Sequence, residues 1–429
     1  MPDYEPTSPE SIITVVVQDI IKSDLSMSKT DSSSEDLSVP SPLATDEGET
    51  KTPTSGPPDP PTPKQITCSR LRTVKWDTTL HKTQCVAITP SGDAIALSSM
   101  KQISVWDLTP PTTTSSPSRV QKFDDGLHSW HLPSRLAILR SPNDELLVAA
   151  SSNQCSNWSA KSFESKLLVY NCTTEKTLHT HVKPRRCLGV ALSFPVPAGG
   201  DPSELAVISS SLKRTYSTLI KLAGRGSIPR ESETEFGTSS DRDQRSMGFS
   251  TDGGYVVVFS TGIKMPAAHL IRTSSGDDLS WTTLPRRCTP VIAAPAGNGR
   301  KAVLVLWHGD TKEAEICTWD TADGHLNGVK CQGLEYAGAA WQRYAISPDC
   351  RWVAVCVSTG AVDVIDAGSG AQIVTLRLQD NLPADMGTLK GGLEPTKPNC
   401  RGRLMTWSAD GGRLVVATRK GAEVWEVRM

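Results

Sequence analysis

Long hydrophobic runs are missing from this chain. The apolar stretch Ile12–Val17 spans six residues, a threonine included. A membrane-crossing helix needs roughly 20, so no span is expected. The 11 cysteines of the 429 residues contain no Cys-x-x-Cys, and thiols this dilute do not make the disulfide framework of a small secreted domain. Cys85, Cys317 and Cys356 sit instead in strand-like runs, where a thiol is a small apolar filler. The chain begins acidic and polar, unlike a secretory signal. The expected setting is intracellular and reducing, in the cytoplasm, the nucleus or both. Catalytic signatures are missing too: His-Glu-x-x-His, Gly-x-Ser-x-Gly and the phosphate-cradling Gly-x-x-x-x-Gly-Lys-Ser/Thr do not occur. His179-Thr180-His181 sets two imidazoles on one side of a strand, but no cysteine or carboxylate cluster completes a ligand set. Neither an enzyme activity nor a metal or cofactor is expected.

Helix-period stripes are scarce, whereas β-branched runs bounded by Gly, Pro, Ser and Asp are frequent, so the chain reads as mostly strand. The net charge of −1 hides a division. Residues 1–64 hold 12 acidic and 4 basic side chains, a balance of −8, which leaves the rest at +7. Eleven of the 30 prolines fall in residues 1–65. Such a composition buries too little apolar surface to offset chain entropy, which predicts a disordered acidic tail over 1–65 ahead of a folded body over 66–429. Within the tail, Ile12, Ile13, Val15, Val16 and Val17 are followed by Asp19, Asp24 and Asp31. This pattern resembles a SUMO-interacting motif, which adds an apolar strand to a sheet edge. The plainer reading is a sticky segment that docks on its own chain or forms a frayed helix.

A unit of about 50 residues recurs through the body. Its clearest copies are Cys85–Asp107 (CVAITPSGDAIALSSMKQISVWD), Tyr344–Asp366 (YAISPDCRWVAVCVSTGAVDVID) and Leu404–Glu426 (LMTWSADGGRLVVATRKGAEVWE). Each runs strand, polar turn, strand, then a third strand ending in Trp-Asp or a relative. Seven turns open such units, at Pro90, Pro142, Pro195, Thr251, Pro295, Pro348 and Ala409. A fixed period of strand–turn–strand units predicts a radial array of blades. Ser151–Ser165, Pro195–Ser203, Arg225–Gln244 and Gln379–Arg403 read as inserted polar loops. The last unit lacks an outer strand, and Arg70–Trp76 has the length and character to supply it, removing an exposed edge.

These residues resemble the WD-repeat β-propeller family, on Val105-Trp106-Asp107, Thr318-Trp319-Asp320, Val424-Trp425-Glu426 and the Ser/Thr-Pro-Asp/Ser-Gly-like turns. The resemblance implies an all-β, seven-bladed propeller closed by an N-terminal strand and acting as a scaffold for other proteins. The Gly-His pair that opens regular blades is absent; Gly324-His325 follows a Trp-Asp instead. Six or eight blades therefore stay open, and the His–Asp–Ser–Trp network of regular blades is not expected. Trp106, Trp319, Trp352, Trp407 and Trp425 are expected to pack between blades.

Two near-identical tetrapeptides, Pro184-Arg185-Arg186-Cys187 and Pro285-Arg286-Arg287-Cys288, precede first strands of units. In the resembling family such loops lie beside the channel on the top face. Arg185, Arg186, Arg286 and Arg287 are the candidate partner-binding residues, because guanidinium groups pair bidentately with carboxylates and phosphates. The plainer reading is solvated or loop-bracing arginine. Other proteins are the expected partners, with the chain a monomer within a larger complex. A nucleic-acid- or anionic-lipid-binding propeller using the +7 body, and a propeller enzyme, are the alternatives.

Overall fold

The computed structural model describes residues 67–75, 85–99, 102–108, 119–122, 133–141, 144–157, 162–183, 186–193, 204–210, 215–221, 230–236, 248–261, 266–331, 343–358, 361–379, 404–418 and 420–428. The predicted tail, with Ile12–Val17, lies outside them. Among the described residues no helix is long and apolar enough to cross a membrane. The regular elements are strands, in seven antiparallel four-stranded sheets.

Strand β1 (Thr67–Lys75) comes first. Blade 1 follows with β2 (Cys85–Ile88), β3 (Ala94–Ser98), β4 (Gln102–Asp107) and β5 (Arg119–Lys122). Blade 2 holds β6 (Pro133–Arg140), β7 (Leu146–Asn157), β8 (Ser162–Asn171) and β9 (Lys176–Lys183). Blade 3 holds β10 (Arg186–Ser193), β11 (Glu204–Ser210), β12 (Thr215–Lys221) and β13 (Arg230–Phe236). Blade 4 holds β14 (Gly248–Phe249), β15 (Tyr255–Thr261), β16 (Pro266–Arg272) and β17 (Asp278–Thr283). Blade 5 holds β18 (Cys288–Pro295), β19 (Lys301–His308), β20 (Glu313–Asp320) and β21 (Leu326–Cys331). Blade 6 holds β22 (Tyr344–Ile346), β23 (Trp352–Ser358), β24 (Ala361–Asp366) and β25 (Gln372–Arg377). Blade 7 holds β26 (Met405–Trp407), β27 (Arg413–Thr418) and β28 (Gly421–Arg428), completed by β1.

The first strand of each blade lies beside the first strand of the next: β2, β6, β10, β14, β18, β22 and β26 follow in turn, and β26 lies beside β2 again. The ring is closed. The fold is a seven-bladed β-propeller.

Apolar runs unbroken by polar residues mark the second strands, and the packing explains them. Successive side chains of a strand point to opposite faces, and here both faces meet a neighbouring blade, as in any sheet covered on two sides. In β19, Val303 and Val305 pack with Tyr344 and Val353 of blade 6. The intervening Ala302, Leu304 and Leu306 pack with Phe259 and Leu270 of blade 4. The tryptophans fall where expected. Trp319 is in the cluster between blades 4 and 5 and Trp106 in that between blades 7 and 1, while Trp352, Trp407 and Trp425 share the one between blades 6 and 7.

The polar turns of blades 1, 4, 6 and 7 share one device. The hydroxyls of Thr89, Ser250, Ser347 and Ser408 accept the N–H of Ala94 (3.0 Å), Tyr255 (2.9 Å), Trp352 (2.8 Å) and Arg413 (2.9 Å). The same hydroxyls donate to the carboxylates of Asp93, Asp252, Asp349 and Asp410. Each turn thus satisfies its own polar groups without a histidine, which accounts for blades that form with no Gly-His pair.

The outer strand of blade 7 is supplied by β1, paired antiparallel with β28 from Thr67↔Arg428 to Lys75↔Gly421. Val74 is fully buried. A Cβ at Gly421 would lie 2.0 Å from the Val74 carbonyl oxygen, so only glycine lets the two backbones approach here. Pairing begins three residues ahead of the expected Arg70, because Thr67–Ser69 continue the ladder to Arg428.

Two expected loops prove to be partly strand. Within 151–165, β7 extends to Asn157 and β8 begins at Ser162, with Asn153↔Ser165 and Cys155↔Phe163 in register. Within 225–244, β13 pairs along its whole length with β12. Both are polar because a hairpin end or an outer strand needs backbone partners more than an apolar face.

Candidate interaction face

Chain direction divides the loops between two faces of the ring. Connections between blades, and the hairpins joining second to third strands, lie on one face, here called the first. Turns joining first to second and third to fourth strands lie on the second.

The second face is tied together between blades. Arg140, at the end of β6, reaches Asp93 (2.8 Å) and Asp107 (3.3 Å) of blade 1 and Asp144 (2.6 Å) of its own turn. Partial burial pushes the Asp93 carboxyl up, but hydrogen bonds from Thr89 and Ser91 and the Arg140 charge outweigh it and hold it below its ordinary value. At the closure, the Ala409 N–H donates to the Pro90 carbonyl (2.9 Å) and the Arg413 guanidinium donates to the Gly92 carbonyl. These groups are engaged in holding blades together.

The first face carries the arginine pair. Arg286 and Arg287 form the turn between β17 and β18, and both are exposed. The turn is fixed on either side. Leu284 is buried in the cluster between blades 4 and 5, and its N–H donates to the Pro266 carbonyl (2.8 Å). The Cys288 thiol donates to the Pro285 carbonyl at 2.9 Å. Burial pushes that thiol up to about 11, so it is protonated and available to donate at neutral pH. Arg287 holds a left-handed backbone, φ +66°, which costs a non-glycine residue about 1 kcal/mol. Cys288 lies across from His308, whose Nε2 is 2.7 Å from Glu315 Oε2, so the strand ends below the turn are pinned by a polar pair.

Of the second pair, Arg186 is the first residue of β10, opposite Ser210, and not in the connecting loop as expected; Arg185 lies outside the described residues. β10 and β18 are both first strands, so Arg186 and Arg287 occur at matching points of blades 3 and 5. Ile12, Ile13, Val15, Val16 and Val17 lie outside the described residues. His179 and His181 are both on β9, across from Val169 and Leu167.

Among the described residues, Cys317, Cys350 and Cys356 are not poised for nucleophilic work. Burial raises Cys317 strongly and pushes Cys350 and Cys356 up to about 12, whereas a reactive cysteine needs a lowered value.

Sequence reasoning missed two features: the closing thiol of Cys288, and Trp281 on β17, which is 58% exposed. The first had a signal in the Pro-Arg-Arg-Cys tetrapeptide itself. The second had one in β17, whose residues Asp-Leu-Ser-Trp-Thr-Thr include no basic side chain.

Among solved structures, the chain is similar to the β-propeller domain of Cps50 (Swd1) from Myceliophteria thermophila. The TM-score is 0.51 at 13% sequence identity, over 84% of this chain and 99% of that one. The likeness is one of fold. No protein-family model matches the sequence, and no curated protein matches it.

Proposed function

We propose that this chain is a non-catalytic, WD-repeat-like scaffold that binds other proteins through the first face of its propeller. Arg286 and Arg287 are the anchors, with Arg186 two blades away, and its sequence neighbour Arg185, as a second pair. The WD-repeat reading is supported by the triplets Val105-Trp106-Asp107 and Thr318-Trp319-Asp320, which end β4 and β20, the third strands of blades 1 and 5. The chain works inside the cell, in the cytoplasm or nucleus, as one copy within a larger complex.

The observation that carries the proposal is the Arg286–Arg287 turn. Its flanks are fixed by Leu284 and Cys288, its backbone adopts a conformation unfavourable to arginine, and both guanidinium groups face solvent. Strain kept at an exposed, anchored turn is a recurrent mark of recognition sites. A turn already held in place loses little freedom on binding. Paired guanidinium groups select carboxylate or phosphate partners, which points to an acidic protein surface.

The test is charge reversal. Arg286→Glu with Arg287→Glu, and then all four arginines, are expressed in the native cell and compared with the unaltered chain by affinity purification. The first pair is expected to weaken recovery of the acidic partners and the four together to abolish it. An unchanged partner set from the fourfold variant would reject this face.

A further inference from the structure

Each blade ends in an outer strand, and six of the seven carry a basic side chain: Arg72 in β1, Lys122 in β5, Lys183 in β9, Arg230 in β13, Lys330 in β21 and Arg377 in β25. Charged side chains, lysine above all, deter a foreign strand from pairing with an open edge. β17 has none that is basic. Its six residues hold a single charge, Asp278, which His269 Nδ1 meets at 2.7 Å.

On this edge Trp281 is 58% exposed and Leu279 40%. Isolated exposed apolar residues are ordinary; here Trp281 is joined on one short strand by Leu279, which stands unpaired at the irregularity of the β16–β17 ladder. Burying an indole is among the larger single gains a side chain offers a partner. No strand among the described residues pairs with the outer side of β17. The edge is also held in position, since the Thr282 hydroxyl donates to the Gly324 carbonyl of blade 5 at 3.0 Å. A strand fixed this way needs no further ordering to accept a neighbour.

The rim decides what can occupy it. Asp277 and Asp278 stand at the start of the strand, and Asp323 lies in the blade 5 turn next to Gly324; Asp277 and Asp323 are exposed. Arg272 stands 4.0 Å from Asp277. A second copy of β17 would bring more carboxylate and no cation of its own, so self-pairing gains nothing from charge.

We propose that the outer edge of β17 is a β-augmentation site for an extended, basic segment of a partner protein. Alternate apolar side chains of that segment cover Trp281 and Leu279, and a lysine or arginine meets the aspartates. The inference rests on the scaffold reading but uses a surface apart from the arginine turn.

The probe is an acetylated heptapeptide of alternating valine and lysine, added to the full-length chain. Deuterium exchange is followed over residues 278–283, with peptide affinity measured in parallel. Exchange there is expected to slow several-fold on binding, and a proline at the peptide's central valine, which removes an N–H, should abolish the slowing. Trp281→Lys restores the missing guard at an exposed position, so the fold should survive; it is expected to weaken the peptide about tenfold and to erase the protection. Leu279→Lys should do the same to a lesser degree. Absence of peptide binding, binding without protection at 278–283, or undiminished affinity in Trp281→Lys would each overturn the proposal. The fourfold arginine variant should bind the peptide and show the protection as the unaltered chain does. Peptide protection at 278–283 with an unchanged partner set in that variant leaves the edge standing and sinks the first face. Partner loss in that variant, with no peptide bound to the unaltered chain, does the reverse.

Discussion

The junction between blades 5 and 6 and the junction between blades 7 and 1 answer different problems. Blades 5 and 6 follow one another in the chain, and their interface is an apolar cluster: Val303 and Val305 on one side, Tyr344 and Val353 on the other. Weak hydrogen bonds cross it from the buried Cys350 thiol to the carbonyls of Ala294 (3.4 Å) and Lys301 (3.9 Å). Blades 7 and 1 have a comparable cluster, with Val74, Val424, Trp106 and Leu97. To it are added Arg413 on the Gly92 carbonyl, the Ala409 N–H on the Pro90 carbonyl, and Arg72 on the Asp107 carbonyl at 3.0 Å.

Apolar attraction is non-directional and scales with area. Chain connectivity already sets that blades 5 and 6 adjoin, and area carries most of that junction, whereas the sequential blades 1 and 2 add Arg140 on Asp93 and Asp107. At the closure the two partners are more than 300 residues apart in sequence, as with Arg413 and Gly92. Hydrogen bonds demand particular distances and angles, so they can fix register where connectivity cannot.

That contrast can be broken from either side. The largest effect is expected from Val74→Asp, which places a carboxylate in the fully buried latch. Stranding a charge there should cost on the order of 4 kcal/mol or more, enough to release β1. Chemical denaturation and limited proteolysis ahead of Thr67 would show it, and an unchanged unfolding midpoint would contradict the latch. Next comes Tyr344→Ala in the 5–6 junction, where loss of a fully buried ring should cost about 3–5 kcal/mol by the cavity argument. The cost should appear in the denaturation midpoint while the ring stays closed. Smallest is Arg413→Met, which keeps most of the stem and removes the bond to Gly92. About 1 kcal/mol is expected, with faster amide exchange confined to β26, β27 and the blade 1 turn. If Arg413→Met left exchange at the closure untouched, the division of labour between area and direction would fall.

The latch was legible in the sequence because the seventh unit lacks an outer strand and a strand-like segment stands unpaired ahead of the first unit. Buried second strands such as Ala302–Leu306 were legible because burial on both faces leaves an unbroken apolar run. β13 was not. Arg-Glu-Ser-Glu-Thr-Glu-Phe carries no apolar pattern, since its place is set by hydrogen bonds to β12. The same holds for the far ends of β7 and β8. The arginine pairs stood out through the repeat of their tetrapeptide and its place before a first strand. That Leu284 and Cys288 would anchor the turn while both guanidinium groups stayed exposed depends on tertiary neighbours, and no local pattern announces it. Trp281 was not legible because the informative feature of β17 is a cation it does without, and motifs announce themselves by residues that are present.

The pairing of Thr67 with Arg428 has a topological corollary. A short linker joining those two positions would make β28 and β1 an ordinary hairpin, and a cut at an exposed turn such as Asp310–Thr311 would create new ends far from it. The order of blades along the gene is therefore a convention of where the circle was opened, and the circle itself has no natural beginning.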